Sequence, residues 1–285
     1  MNRYSDTKKA GIAGIFANIF LLLIKGFIGF ITNSQAMIAD AVNSASDIFA
    51  SLMTFIGNKI ASEPQDDTHN FGHGKAEYLF SFLISIAMIL VSVNILFKSA
   101  MTLITGSTLK FSWLLIFICI ITIITKFILY LFTKKLYKKY DNILLLANMK
   151  DHKNDCIVTT FTLISVLLTL KNIFWFDGIV GIGISIWICY TGIKIFIESF
   201  NVLMDISLDE ETFSEIIDIS NSFEQIKKVD NVLSTPVGYQ YMVFVTISVD
   251  GNLSTFESHS LADNLECALQ NLDKVYKAVV HVNPV

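Results

Sequence analysis

Six long apolar stretches constrain the fold of this 285-residue chain more than any other feature of its sequence. A helix that crosses a lipid bilayer needs about 20 mostly apolar residues. Runs of that kind lie at approximately residues 10–32, 35–61, 78–104, 111–132, 144–170 and 174–197. With a mean hydropathy of +0.58, they exclude an ordinary soluble protein. We predict an α-helical membrane domain over residues 1–204 with six transmembrane helices.

The basic residues predict how this domain is oriented in the membrane. Cytoplasmic segments next to membrane helices carry an excess of Lys and Arg. Such residues cluster in the N-terminal segment and in the link after the fourth run, at Arg3, Lys8, Lys9, Lys134, Lys135, Lys138 and Lys139. With an even number of spans, both the N- and the C-terminus are expected in the cytoplasm.

Residues 205–285 have the pattern of a small cytoplasmic α+β domain. Capping boxes at residues 207–210 and 254–257 each predict the start of a helix. Alternating apolar residues predict strands at 229–235, 239–249 and 275–282, which gives the order αββαβ of a ferredoxin-like or metallochaperone-like domain. Thirteen acidic against four basic residues argue against binding nucleic acid. A core this small favours a dimer.

Polar residues inside the second and fifth runs are the main functional signal. Asn43 and Asp47 are four residues apart, as are Asp151 and Asp155, so each pair shares one face of its helix. A charged side chain at a helix centre in the bilayer costs roughly 2.5–3.5 kcal/mol. A bound cation would compensate that cost, so the two pairs predict a divalent metal site. Asp40 is a candidate supporting residue on the same face of the second run.

Two alternatives for these residues remain open. The acids could instead pair with membrane lysines such as Lys25 or Lys126, which explains the charge but not two matched pairs. If the fifth helix were rotated, His152 and Cys156 would form a softer, zinc-like pair.

Two segments resemble the cation diffusion facilitator family. Residues 34–47, Ser-Gln-Ala-Met-Ile-Ala-Asp-Ala-Val-Asn-Ser-Ala-Ser-Asp, are similar to its second-span signature, and residues 71–77, Phe-Gly-His-Gly-Lys-Ala-Glu, to its most recognisable motif. The resemblance implies a homodimeric antiporter in the plasma (cell inner) membrane, surrounded by lipid. It would export divalent metal from the cytoplasm in exchange for protons. It implies neither an enzyme nor a prosthetic group.

The same resemblance implies a tetrahedral transport site made of Asn43, Asp47, Asp151 and Asp155. Zinc-transporting relatives usually have a histidine in this set, most often at the position of Asp151. Oxygen ligands suit harder ions whereas imidazole suits zinc, so we predict Mn²⁺, with Zn²⁺, Fe²⁺ or Cd²⁺ as alternatives. His152, the neighbour of Asp151, is a candidate supporting residue.

Three further sites follow from the resemblance. A peripheral metal site would use Asp66, His69 and His73, whose spacing also suits zinc; otherwise these residues only shape the loop. A charge interlock would join Lys75 to Asp205, or these are two ordinary interfacial charges. A cytoplasmic site would retain Asp230, His259 and His281, while Thr246 and Asn283 depart from the family's ligands and leave full binuclear zinc binding open.

Two functions of other classes remain as rivals. One is an intramembrane metalloenzyme, although the sequence contains no HExxH motif. The other is a metal-sensing membrane scaffold that transports nothing.

Overall fold

The computed structural model describes residues 3–31, 35–105, 113–169, 171 and 175–285. Side chains are described within these ranges except at positions 29, 31, 35–43, 45, 46, 169, 177 and 180. The chain divides into two compact units. The first extends to Ser62 and resumes at Ala76–Phe200, and the second combines Glu63–Lys75 with Asn201–Val285.

The first unit contains six long helices, one for each apolar run. They are α1 (Arg3–Ile31), α2 (Gln35–Ala61), α3 (Ala76–Thr105), α4 (Trp113–Tyr140), α5 (Ile143–Thr169) and α6 (Trp175–Leu203). Helix α1 begins before the predicted start, and α4 and α6 continue past their predicted ends. Hydropathy detects the part of a helix inside the bilayer, whereas polar residues continue the same helix beyond it.

Four of these helices are long and apolar enough to cross a membrane within the described residues. They are α1, α3, α4 and α6, the first over Arg3–Ile28 and the last over Gly181–Leu203. Helix α5 has four charged residues close together, Lys150, Asp151, Lys153 and Asp155. Helix α2 also has aspartates inside its apolar run. That α2 and α5 cross the bilayer as well stays a prediction.

Small and polar residues allow the helices to approach closely. A Cβ atom at Gly14 of α1 would lie 2.5 Å from Oγ of Ser51 in α2. One turn further along α1, Asn18 Nδ2 donates to that same Ser51 Oγ at 3.2 Å. Interfaces of this kind are typical of membrane helices, which gain little from hydrophobic burial. They fix α1 against α2.

A buried charged network ties the start of α5 to two other helices. Arg3 of α1 donates to Glu77 Oε2 of α3 at 2.7 Å, and Glu77 is only 1% exposed. Asn142 Nδ2 donates to Glu77 Oε1 at 3.0 Å, while Asn142 Oδ1 accepts from the backbone N–H of Leu144 at 2.8 Å. Asn142 therefore caps α5 and anchors it to α3.

The second unit contains the predicted αββαβ order. Its elements are α7 (Glu210–Asn221), β1 (Ile226–Val237), β2 (Gln240–Val249), α8 (Thr255–Gln270) and β3 (Val275–Pro284). The sheet order is β1-β2-β3, with β1 and β2 antiparallel and β2 and β3 parallel. The alternating residues of β2 form the core as predicted, namely Val243, Val245, Ile247 and Val249.

One of the two capping boxes is confirmed and the other is wrong. Ser254 and Glu257 form the reciprocal box at the start of α8. At α7 the cap is Asp209 instead of Ser207, and its carboxylate accepts from Thr212 N at 3.0 Å. The backbone N–H of Leu208 donates to Ser234 Oγ of β1, which holds this segment outside the helix.

The ionisation of Asp209 reflects this capping role. Its partial burial opposes the charged form. The Thr212 N–H and the Lys274 ammonium outweigh that burial and lower the pKa of Asp209 to about 2.

The buried network at Glu77 generates a stability prediction. Replacing one partner of a buried ion pair costs about 3–5 kcal/mol because the other charge is left without compensation. We expect Glu77→Ala to lower the thermal unfolding midpoint in detergent and to speed amide hydrogen exchange at the start of α5. Glu77→Gln should lose less, because an amide can still bind Asn142.

A double-mutant cycle provides the control. Arg3→Ala with Glu77→Ala should be no less stable than Glu77→Ala alone, because the stranded charge is gone. Additive losses, or a Glu77→Ala protein as stable as the wild type, would contradict the assigned pairing.

Candidate metal sites

Two groups of His and carboxylate side chains are close enough to hold a metal ion within the described residues. One is Asp151, His152 and Asp155 in α5, and the other is Asp66, His69 and His73 in the second unit. In each group one potential ligand atom per residue lies within 4.8 Å of the others.

The first group borders a small cavity between helices α2, α3, α5 and α6. The cavity measures about 30 Å³, and about 10–15 Å³ is enough to admit a water molecule. Its polar lining consists of Asp47, Asp151, Asn154 and Asp155. Its apolar lining consists of Ala50, Ile84, Ala87, Met88, Val91 and Ile188. Three of the four predicted transport ligands therefore meet at one cavity.

Two further residues of α2 were predicted at the site, one as a ligand and one as a supporting residue. The side chains of Asn43 and Asp40 lie outside the described residues. Asn43 precedes Asp47 by one helical turn, so their shared face follows from helix geometry alone.

Lys126 of α4 binds two of the three carboxylates at the cavity. Its ammonium donates to Asp47 Oδ2 at 2.7 Å and to Asp155 Oδ2 at 2.5 Å. The lysine side chain is only 1% exposed. The pairing with a membrane lysine that the sequence left open is therefore present for Asp47 and Asp155. Lys25 of α1 is also buried.

Several other polar atoms of α5 are buried and have no hydrogen-bond partner among the described side chains. They are Asp151 Oδ2, both ring nitrogens of His152, and the side-chain amide oxygen and nitrogen of Asn148 and Asn154. Buried polar groups normally have partners, and exceptions often mark functional positions. Sequence reasoning gave no role to Asn148, although it precedes Asp151 and His152 by one turn.

His152 is fully buried but does not belong to the described lining of the cavity. A Cβ atom at Gly14 would lie 3.9 Å from His152 Nε2, so the ring packs towards α1. Cys156 directs its thiol to the carbonyl oxygen of Ile123 in α4, at 3.9 Å. The two side chains thus face different helices, which argues against the rotated, zinc-like pair.

The loop group is organised around Asp66, with Asp66 and His69 exposed and His73 half-buried. Its Oδ1 accepts from the N–H groups of Thr68 at 2.9 Å and His69 at 2.6 Å. The Thr68 hydroxyl and the His69 N–H also hold the pKa of Asp66 well below its usual range. The His69 and His73 rings are 4.3 Å apart, and His73 Nε2 lies 3.6 Å from Asp66 Oδ2. An ionised carboxylate thus faces two imidazoles.

Lys75 and Asp205 lie together as the resemblance implies. The Lys75 ammonium donates to Asp205 Oδ1 at 2.7 Å, and the Thr235 hydroxyl donates to the same oxygen at 2.8 Å. Both contacts lower the pKa of Asp205. Next to Lys75, Gly74 approaches Gly238 so closely that a Cβ would lie 2.8 Å from the Gly238 Cα.

The three cytoplasmic candidates do not form a compact ligand group within one chain over residues 201–285. Asp230 accepts from the Ser248 hydroxyl at 2.5 Å and pairs with Lys228 at 3.1 Å. His259 lies on α8, 3.6 Å from Asp263, and His281 is exposed on β3. Their role as a metal site stays a prediction.

Comparisons with known proteins bear on both units. Residues 11–204 match the model of the cation efflux transmembrane domain, and residues 208–285 match that of the cation efflux protein cytoplasmic domain. These matches confirm the fold class, a helical membrane domain followed by a cytoplasmic α+β domain.

Curated relatives align with nearly the whole chain. The manganese efflux system proteins MneP and MneS of Bacillus subtilis are 27% and 28% identical. Their alignments cover 99% and 100% of this chain and 97% and 99% of the relatives. The cation-efflux pump FieF of Citrobacter koseri is 26% identical over 97% of this chain and 92% of its own length. The chain therefore belongs to the cation diffusion facilitator family and resembles its manganese branch.

Proposed function

We propose that this protein exports divalent transition metal, foremost Mn²⁺, from the cytoplasm across the plasma membrane in exchange for protons. One observation carries the proposal: Asp47, Asp151 and Asp155 meet at a single cavity inside a bundle of membrane helices. Acidic residues in that setting are expensive and mark ion pathways. The names of the relatives MneP and MneS support manganese.

The donor set supports the choice of ion. Three carboxylates and the Asn43 carbonyl offer only oxygen, which suits Mn²⁺ better than zinc. His152 packs towards α1 and is absent from the described lining of the cavity. Asn148 lies one turn closer to the start of α5, where a cation arriving from the cytoplasm would meet it before Asp151.

Proton exchange follows from the same carboxylates. A carboxylate binds metal only when deprotonated, so protons and metal compete for it. In an alternating-access cycle, metal binds from the cytoplasm between α2 and α5. After the site opens outwards, protons displace the metal and are released inside on return.

Assembly and orientation belong to the same proposal. The cytoplasmic domain matches a family model of dimerising domains, which supports a homodimer. The basic residues at the N-terminus and at the end of α4 support cytoplasmic termini. Lys75–Asp205 would then act as a charge interlock at the start of the cytoplasmic domain.

Export of Zn²⁺, Fe²⁺ or Cd²⁺ by the same route is the second candidate. The observation that favours zinc is the His152 ring nitrogen, which lies within 4.8 Å of oxygens of Asp151 and Asp155. A non-transporting scaffold and a metalloenzyme both predict no metal flux.

Flux through proteoliposomes tests the transport site. We expect Asp155→Ala to reduce Mn²⁺ flux by more than about 100-fold. Mutating a residue that only hydrogen-bonds to a metal ligand typically costs about 10–100-fold, and removing a ligand itself should cost more. Asp273→Ala, an exposed aspartate of the second unit, is the matched control and should transport normally. Unchanged flux in a folded Asp155→Ala protein would refute the assigned ligands.

Ion competition on the same sample tests selectivity. Unlabelled Mn²⁺ should suppress flux of a reporter ion at lower concentration than Zn²⁺ does. Zinc flux without manganese flux would overturn the manganese assignment and favour the alternative in which His152 contributes a nitrogen ligand.

We also propose that the loop group binds a divalent ion. In an Asp155→Ala background, His69→Ala should weaken the remaining zinc binding by about tenfold or more, since a tetrahedral site loses one of three protein ligands. The control is Gln65→Ala in the same loop. Equal zinc affinity for both variants, measured by equilibrium dialysis, would show that these histidines only shape the turn.

A further inference from the structure

Lys126 has no role in the proposed transport site, yet it contacts two of the proposed ligands directly. It projects from α4, whereas Asp47 belongs to α2 and Asp155 to α5. Its ammonium bonds to Oδ2 of both. A lysine with a purely structural task can pair with a single carboxylate, or lie near the helix end where it reaches the interface. Lys126 instead joins two carboxylates of the transport site.

The Lys126 ammonium and a divalent ion need the same atoms. Lysine has three hydrogen-bond donors on a compact positive charge, so it satisfies two carboxylates at once. A metal ligated by Asp47 and Asp155 requires lone pairs on those carboxylates and places two more positive charges next to Lys126. Like charges in a buried setting repel strongly.

The structure also offers a second acceptor for the ammonium. Thr122 lies one turn before Lys126 on α4, and its hydroxyl oxygen is buried without a hydrogen-bond partner among the described residues. Long side chains in helices point back towards the N-terminus, over the residue four positions earlier. The Lys126 side chain can therefore leave the carboxylates and still find a polar partner on its own helix.

We propose that Lys126 is a built-in competing cation, whose ammonium and the transported metal bind Asp47 and Asp155 in a mutually exclusive manner. This inference rests on the proposed transport function and deepens it. Lys126 acts through its positive charge and does not need to lose a proton. It weakens metal binding enough for release, because the ammonium returns to the carboxylates as the metal leaves. Since Lys126 belongs to α4, the exchange also links metal binding to contacts of a third helix.

Metal affinity is the direct test. Mn²⁺ binding is measured by calorimetry on the full-length protein in detergent, for wild type, Lys126→Met and Lys126→Arg. Methionine keeps much of the side-chain volume without the charge, and arginine keeps the charge. We expect Lys126→Met to bind Mn²⁺ about tenfold more tightly or better, because one unit of repulsion is removed. Lys126→Arg should not bind more tightly than wild type.

A second measurement covers the case in which Lys126→Met is unstable. Removing the ammonium leaves three clustered carboxylates, one of them buried, with less compensation, which lowers stability. Mn²⁺ supplies that missing charge, so it should raise the thermal midpoint of Lys126→Met more than that of wild type. A rise equal to or smaller than the wild-type rise contradicts the proposal.

The outcomes separate this inference from the proposed function. If wild type binds Mn²⁺ in a manner that requires Asp155, and Lys126→Met binds equally or more weakly, only the role of Lys126 is overturned. If the Asp155→Ala protein binds Mn²⁺ as tightly as the wild type does, the transport site itself is wrong, and the role of Lys126 is overturned with it.

Discussion

Three carboxylates at one cavity between α2, α3, α5 and α6 are the constraint on which the first unit depends. Asp47, Asp151 and Asp155 would repel one another and lose their hydration in a bilayer. Their cost requires a positive partner within bonding distance, and Lys126 supplies one for two of them. The helices α2, α4 and α5 are thus joined by charge as well as by packing. Any cation that replaces the Lys126 ammonium must reach both Asp47 and Asp155 at once.

The positions of these carboxylates are set by contacts far from the cavity. Asn142 caps α5 and binds Glu77, which in turn binds Arg3, so the start of α5 is fixed to α3 and α1. Near the cavity, Ala50 of α2 and Ala147 of α5 belong to one buried cluster with residues of α3 and α6. Small side chains permit that approach. Glu77, the last residue of the 71–77 motif, therefore contributes to the fold of the first unit.

Local patterns predicted the helices, the order of helices and strands along the chain, and the paired polar residues of α2 and α5, because periodicity and hydropathy depend only on neighbours in sequence. Long-range contacts decided the rest. Lys126 was only one of two candidate partners, since nothing in the spacing of α4 shows its height relative to α2 and α5. Ser207 failed as a cap because the Leu208 N–H is held by Ser234, 26 residues away. Composition likewise did not predict that Glu63–Lys75 groups with the C-terminal unit.

On the proposed function, the choice between oxygen and nitrogen ligands depends on helix packing more than on the ligand residues. His152 follows Asp151 directly, so a rotation of α5 by one residue position, about 100°, would turn its ring to the cavity. At Gly14, α1 lies close to both the His152 ring and Ser51, so the packing of α1 determines where that ring lies in this structure. A side chain at position 14 would clash with Ser51 and push α1 away from α2. Preference for a hard ion would then be a property of the contact of α1 with α2 and α5, in a helix that supplies no ligand of its own.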